Sequence, residues 1–107
     1  MDIVVDVYKL SETFPSREKF GLVSQMRRSA VSIPSNVAEG AARNTNKEFI
    51  NFLHIAKGSL SELDTQLDLA KRLEYIDDSN RNVLDEKLVE EDKVLAGLIR
   101  SQKDRYK

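Results

Sequence analysis

The chain has 107 residues, 33% charged and 40% hydrophobic, with a net charge of −1, four glycines, two prolines and no cysteine. That length gives one domain with a single core, and the mix suits a soluble helical protein rather than a disordered one. Without cysteine there are no disulfides, no thiolate catalysis and no cysteine-based zinc site. No apolar run approaches the roughly 18 residues of a membrane helix, and the opening MDIVVDVYKL lacks the basic segment of a signal peptide, so a cytoplasmic protein without membrane contact is expected.

From Asp2 to about Thr13, Ile3, Val7, Leu10 and Phe14 recur at heptad spacing. The β-branched residues there would also suit a strand, but no second strand-like run exists to pair with it, so the spacing predicts a helix over 2–13. Phe14-Pro15-Ser16 then breaks the chain, with Ser16 placed as an N-cap for a second helix over 17–43. That helix carries Val23, Met26, Ala30, Ile33, Val37 and Ala41 on an apolar seam, with Gln25, Arg28, Ser32, Asn36, Glu39 and Arg43 at the same spacing on a polar face. Small residues, Gly40 among them, lie between and suit close approach of another helix. Pro34 sits inside it; lacking an N–H for the Ala30 carbonyl, it predicts a kink held by packing on both sides.

Asn44-Thr45-Asn46 is a tight turn, and Thr45 with Glu48 makes a capping box for a third helix over 46–73. Here Phe49, Leu53, Ala56, Leu60, Leu63, Leu67 and Ala70 form an alternating four-and-three seam, which Phe52, Ile55 and Leu69 are expected to widen. Gly58 inside it costs about 1 kcal/mol against alanine, which predicts a neighbouring helix close by. Residues 74–78 form the next turn, with Asp78 or Ser79 capping a fourth helix over 80–103 that carries Leu84, Leu88, Leu95, Leu98 and Ile99. Four amphipathic helices on short connections predict an all-α, antiparallel up-down-up-down four-helix bundle filling residues 1–107.

Chemistry is sparse. His54 is the only histidine and has no carboxylate three or four positions away. The glycines are scattered within helices rather than gathered into a phosphate-cradling loop, and no serine has a histidine base nearby. No enzyme, no metal and no cofactor is expected. The remaining signal is the second helix. From Arg17 to Lys47 six basic residues face two acidic ones, so Arg27, Arg28, Arg43 and Lys47 are candidates for contacting phosphates. Alternatively Gln25, Ser32, Asn36, Glu39 and Glu62 join Arg28 in a buried polar network that sets helix register. A third reading makes this face a protein–protein scaffold, which requires exposed apolar surface.

The strings QMRRSAVSIPSNVAEG (25–40), FINFLHIA (49–56) and GSLSELDTQLDLAKRLEYI (58–76) resemble the 23S rRNA intervening-sequence protein family over about residues 10–78. The resemblance implies a left-handed antiparallel four-helix bundle, homo-oligomeric as a ring-like pentamer, with no enzymatic activity. It also implies kinship in fold with the accessory variability protein of diversity-generating retroelements, a nucleic-acid and reverse-transcriptase partner. Reading frames of this family occur inside intervening sequences of large-subunit ribosomal RNA genes, so RNA association is the leading expectation and a protein partner the second.

Overall fold

The computed structural model describes residues 2–106. Among them are four α-helices, α1 (Asp2–Ser11), α2 (Leu22–Ala41), α3 (Asn46–Arg72) and α4 (Asp78–Tyr106), with a 3-10 turn at Ser16–Glu18 and no strand. No helix among the described residues is long and apolar enough to cross a membrane.

The side chains that join the helices fix their directions. Lys71 pairs with Asp78, Asp64 with Arg81 and Lys57 with Asp92, so positions descend along α3 as they rise along α4. Ser32 meets Ser59, while Gly40 lies against Phe52 and Phe49, the same reciprocal order between α2 and α3. Asp6 of α1 pairs with Lys87 of α4, and α1 packs on α2 and α4. The result is an up-down-up-down bundle in which the α2–α3 and α3–α4 connections are short enough to force adjacent helices side by side, while α1 reaches α2 through a longer segment that contains the 3-10 turn. The solvated pairs of Lys57 and Lys71 contribute at most about 1 kcal/mol each, so they report register more than they supply stability, whereas Arg81 is largely buried between Asp64 and Asp85.

Stability comes from the seam. Met26, Leu53, Leu63, Leu67, Leu95 and Val7 are the largest fully buried side chains, and Ala30, Ala56 and Ala70 fill the narrow positions between them. Ile3, Phe14, Leu22, Val23, Ile33, Leu60, Ile76, Leu84, Leu88 and Ile99 complete the core among the described residues. The alternating four-and-three pattern of α3 is buried from Leu53 to Ala70, with Phe49 packed against its edge. Two expected extensions fail: Ile55 and Leu69 face outward, and Ala41 is exposed because the seam of α2 ends at the buried Gly40. Only α2 and α4 pack directly on α3, and they cover a narrower arc than its apolar stripe.

The second helix starts five residues later than its pattern suggests, at Leu22 rather than 17. Pro15, with no N–H to give, precedes a 3-10 turn that Ser16 does not cap with its side chain. Gly21, at φ −105° and ψ −109°, then re-aims the chain into α2. The N-terminus of α2 is served instead by Glu18, whose Oε1 accepts from the Leu22 N–H at 3.5 Å. α2 runs through Pro34 as one helix. Thr45 caps α3 as expected, its Oγ1 accepting from Glu48 N–H at 3.1 Å. At α4 the capping side chain is Asp77, one residue before the positions expected, with Oδ1 accepting from Asn80 N–H at 2.8 Å. α4 also runs on to Tyr106, past the expected end at 103.

The C-terminus of α3 closes as a Schellman turn, with Tyr75 N–H donating to Ala70 O and Glu74 N–H to Lys71 O. The left-handed position falls on Glu74, at φ 64°, where glycine is the usual residue. Glu74→Gly is therefore expected to raise stability by about 0.5–1 kcal/mol despite the added freedom of the unfolded chain. Chemical denaturation checks it, and a lowered midpoint would contradict it.

Candidate interaction face at the α1–α2 edge

The 3-10 turn and Gly21 do more than delay a helix, because they place Lys19 and Phe20 on the outside of a pinned corner. Phe14 is buried and stacks at 5.2 Å between centroids on Tyr75 of the α3–α4 turn. The Tyr75 hydroxyl donates to Glu18 Oε2 at 2.7 Å, and that bond to a carboxylate, with some burial, holds the phenol above its ordinary value. Glu18 thus ties the chain entering α2 to the α3–α4 turn at the same end of the bundle. Phe20 two residues later is 89% exposed, the most exposed of the large apolar side chains.

Phe20 stands at one end of a shallow groove between α1 and α2, of about 620 Å³. Tyr8, Val23 and Val31 supply its apolar lining, and Lys19, Arg27 and Arg28 its charge. The three cations are not equivalent. Arg27 donates through Nε to Ser11 Oγ at 2.9 Å and through Nη2 to Tyr8 O at 3.3 Å, with its guanidinium 4.5 Å from the Tyr8 ring centroid. It clamps α1 onto α2 and leaves only part of its charge to a ligand. Arg28 is exposed and has no carboxylate partner among the described residues. The Lys19 ammonium lies 5.5 Å from the Phe20 ring centroid, leaving the ring's other face open.

The other candidate cations lie elsewhere. Arg43 is about 20 Å from Arg28 along the helix; it pairs with Glu39 and stacks at 4.9 Å over Phe52. Lys47 is exposed at the start of α3. The basic stripe is therefore split between the two ends of α2 rather than continuous. Lys19 and Phe20 are invisible to a helical pattern that runs straight through them; the signal that marks them is Pro15 and Gly21, the two residues that interrupt it.

The expected buried network shrinks to its small members. Ser32 Oγ and Ser59 Oγ are 2.8 Å apart, and Asn36 Nδ2 donates to both Ser32 O and Ser32 Oγ at 2.8 Å. This cluster links α2 to α3 beside the narrow seam. Gln25, Glu39 and Glu62 are exposed and take no part in it. Their long side chains sit on the outer arc of their helices, where water solvates a carboxylate at no cost.

A family model described as 23S rRNA-intervening sequence protein matches residues 1–97. The chain belongs to the 23S rRNA-intervening sequence protein family. The match reaches well into α4, past the stretch in which sequence motifs alone carried the likeness. Among solved structures, a protein of unknown function from the S23 ribosomal protein family of Bacteroides thetaiotaomicron superposes with a TM-score of 0.84 at 28% identity, covering 92% of this chain and 89% of that one. No curated protein matches. The intervening-sequence family assignment thus comes with the four-helix fold and leaves the chemistry of the α1–α2 groove to be read from its own residues.

Proposed function

We propose that this intervening-sequence family member is a non-enzymatic, cytoplasmic, self-associating bundle that associates with RNA through the groove of Lys19, Arg27 and Arg28. The observation that carries this reading is segregation of charge. In a chain of net charge −1, every charged residue lining that groove is cationic, whereas the carboxylates along the α3–α4 groove, Asp64, Asp85 and Asp92, are paired with Arg81 and Lys57. A concave cationic surface attracts phosphates even when the whole molecule is slightly acidic. Assembly into a ring, a pentamer on the family resemblance, would repeat the groove around one axis and multiply its field. A protein partner is the second reading, favoured by Ile55, Val89 and Val94, apolar side chains about half exposed on α3 and α4.

Fluorescence anisotropy with a labelled RNA at low salt separates the candidate cations. Lys19→Ala/Arg28→Ala is expected to weaken binding about tenfold, because the phosphates these cations neutralise go unpaired. Arg43→Ala/Lys47→Ala changes it by less than about threefold, because Arg43 is already engaged by Glu39 and Phe52. Equal loss in both variants would move the site to the whole of α2. A wild-type protein that binds no RNA at low salt would end the RNA reading in favour of a protein partner, and a monomer by light scattering at micromolar concentration would remove the ring.

A further inference from the structure

We infer that the ligand of the α1–α2 groove is a single-stranded stretch of RNA, with one unstacked base lying on Phe20 and its neighbouring phosphates held by Lys19 and Arg28. This rests on the RNA reading above and adds which form of RNA is bound. A groove meant for phosphates alone needs cations and little else. This one also presents Phe20 at 89% exposure, together with Val31 and the edge of Tyr8, over a floor formed by the buried Val23. A duplex keeps its base faces stacked inside and would leave that apolar surface in water. A single strand can turn a base outward, and base–aromatic stacking is how proteins hold such a base without reading its identity.

The local geometry suits the task. The Glu18 bond to Tyr75 and the Phe14–Tyr75 stack anchor the chain just before Phe20, so the ring is presented from a fixed corner. Lys19 occupies one side of the ring at 5.5 Å, which adds positive charge where a phosphate would follow and leaves the opposite face for a base. Tyr8 cannot substitute for Phe20, because the Arg27 guanidinium already lies on its ring at 4.5 Å. From Val23 to Ser32 the groove follows α2 for about 14 Å, and Arg28 stands alongside it. Without a carboxylate among the lining residues, nothing repels the backbone of a strand laid along this path.

The test compares a fluorescein-labelled single-stranded RNA of about twelve nucleotides, uridine-rich to stay unpaired, with a hairpin duplex of similar length. Wild type is expected to favour the single strand by about tenfold. Phe20→Ala should remove that preference with the duplex affinity unchanged, and its circular dichroism should match wild type because the ring is in solvent. Phe20→Trp should retain single-strand binding. Since the chain contains no tryptophan, its indole fluorescence then reports the site alone and should be quenched by the single strand and not by the duplex. Equal binding of both RNAs, with Phe20→Ala indistinguishable from wild type, would overturn the inference while leaving a cationic RNA groove in place. Absence of any RNA binding would overturn both, and an acidic peptide binding the groove in its stead would assign it to a protein partner.

Discussion

Replacing Leu63 with alanine is expected to destabilise the protein by about 3 kcal/mol, within the range seen when a buried leucine is truncated. Leu63 has no solvent exposure and sits on α3, the helix packed against both α2 and α4. The loss has two parts, the apolar transfer energy of the removed carbons and the dispersion attraction forfeited around the cavity they leave. For a domain of this size the melting temperature should fall by more than about 10 °C. Denaturant unfolding would show a lowered midpoint with an unchanged slope. A loss under about 1 kcal/mol would mean that α3 is not the central helix of the bundle.

The second large effect is a difference of sign between two identical substitutions. A Cβ placed on Gly40 would lie 2.7 Å from Phe52 Cβ and 2.9 Å from Phe49 Cδ1, whereas one on Gly58 meets nothing within 4 Å. The Phe49 ring can swing aside, but Phe52 Cβ is fixed to its backbone, so α2 and α3 must separate where they now touch. Gly40→Ala is expected to cost about 2 kcal/mol, overpacking outweighing the gain in helix propensity. Gly58→Ala has only the propensity gain and should stabilise by about 1 kcal/mol. Thermal melts of the two variants beside wild type decide it, and stabilisation by both would contradict the close approach at Gly40.

This pair also marks how far the sequence could be read. Its strongest periodicities translated directly: the α3 seam from Leu53 to Ala70 is buried as its spacing requires, and the Thr45 cap forms at the position its chemistry selects. Both depend on interactions within one helix or on one face, which spacing encodes. The close approach expected at Gly58 is absent while the one at Gly40 is present, because a missing side chain signals either close approach or nothing at all. Gly40 and Gly58 differ only in what another helix places opposite them. The start of α2 was misread for a similar reason, since Arg17-Glu18-Lys19 has good helical propensity and the Glu18–Tyr75 bond that draws it aside spans 57 residues of chain. The same break put Phe20 and Lys19 outside and so built the groove. Charge patterning leaves Arg28 open between an exposed cation and a buried network and offers Arg43 a pairing with Glu39; in the fold Arg28 is exposed and Arg43 does pair with Glu39, whereas the turn of Arg27 toward Tyr8 has no signal in the spacing.

The role assigned to the groove rests on neutralisation of phosphates by specific cations, and the salt dependence of binding measures this most directly. With a single-stranded RNA, the slope of log affinity against log salt should be shallower by roughly 1.4 in the Lys19→Ala/Arg28→Ala variant than in wild type, about 0.7 for each phosphate that is no longer neutralised. The slope should be unchanged in Arg43→Ala/Lys47→Ala. A wild-type slope near zero, or one that the Lys19 and Arg28 substitutions leave untouched, would contradict an RNA site at the α1–α2 edge.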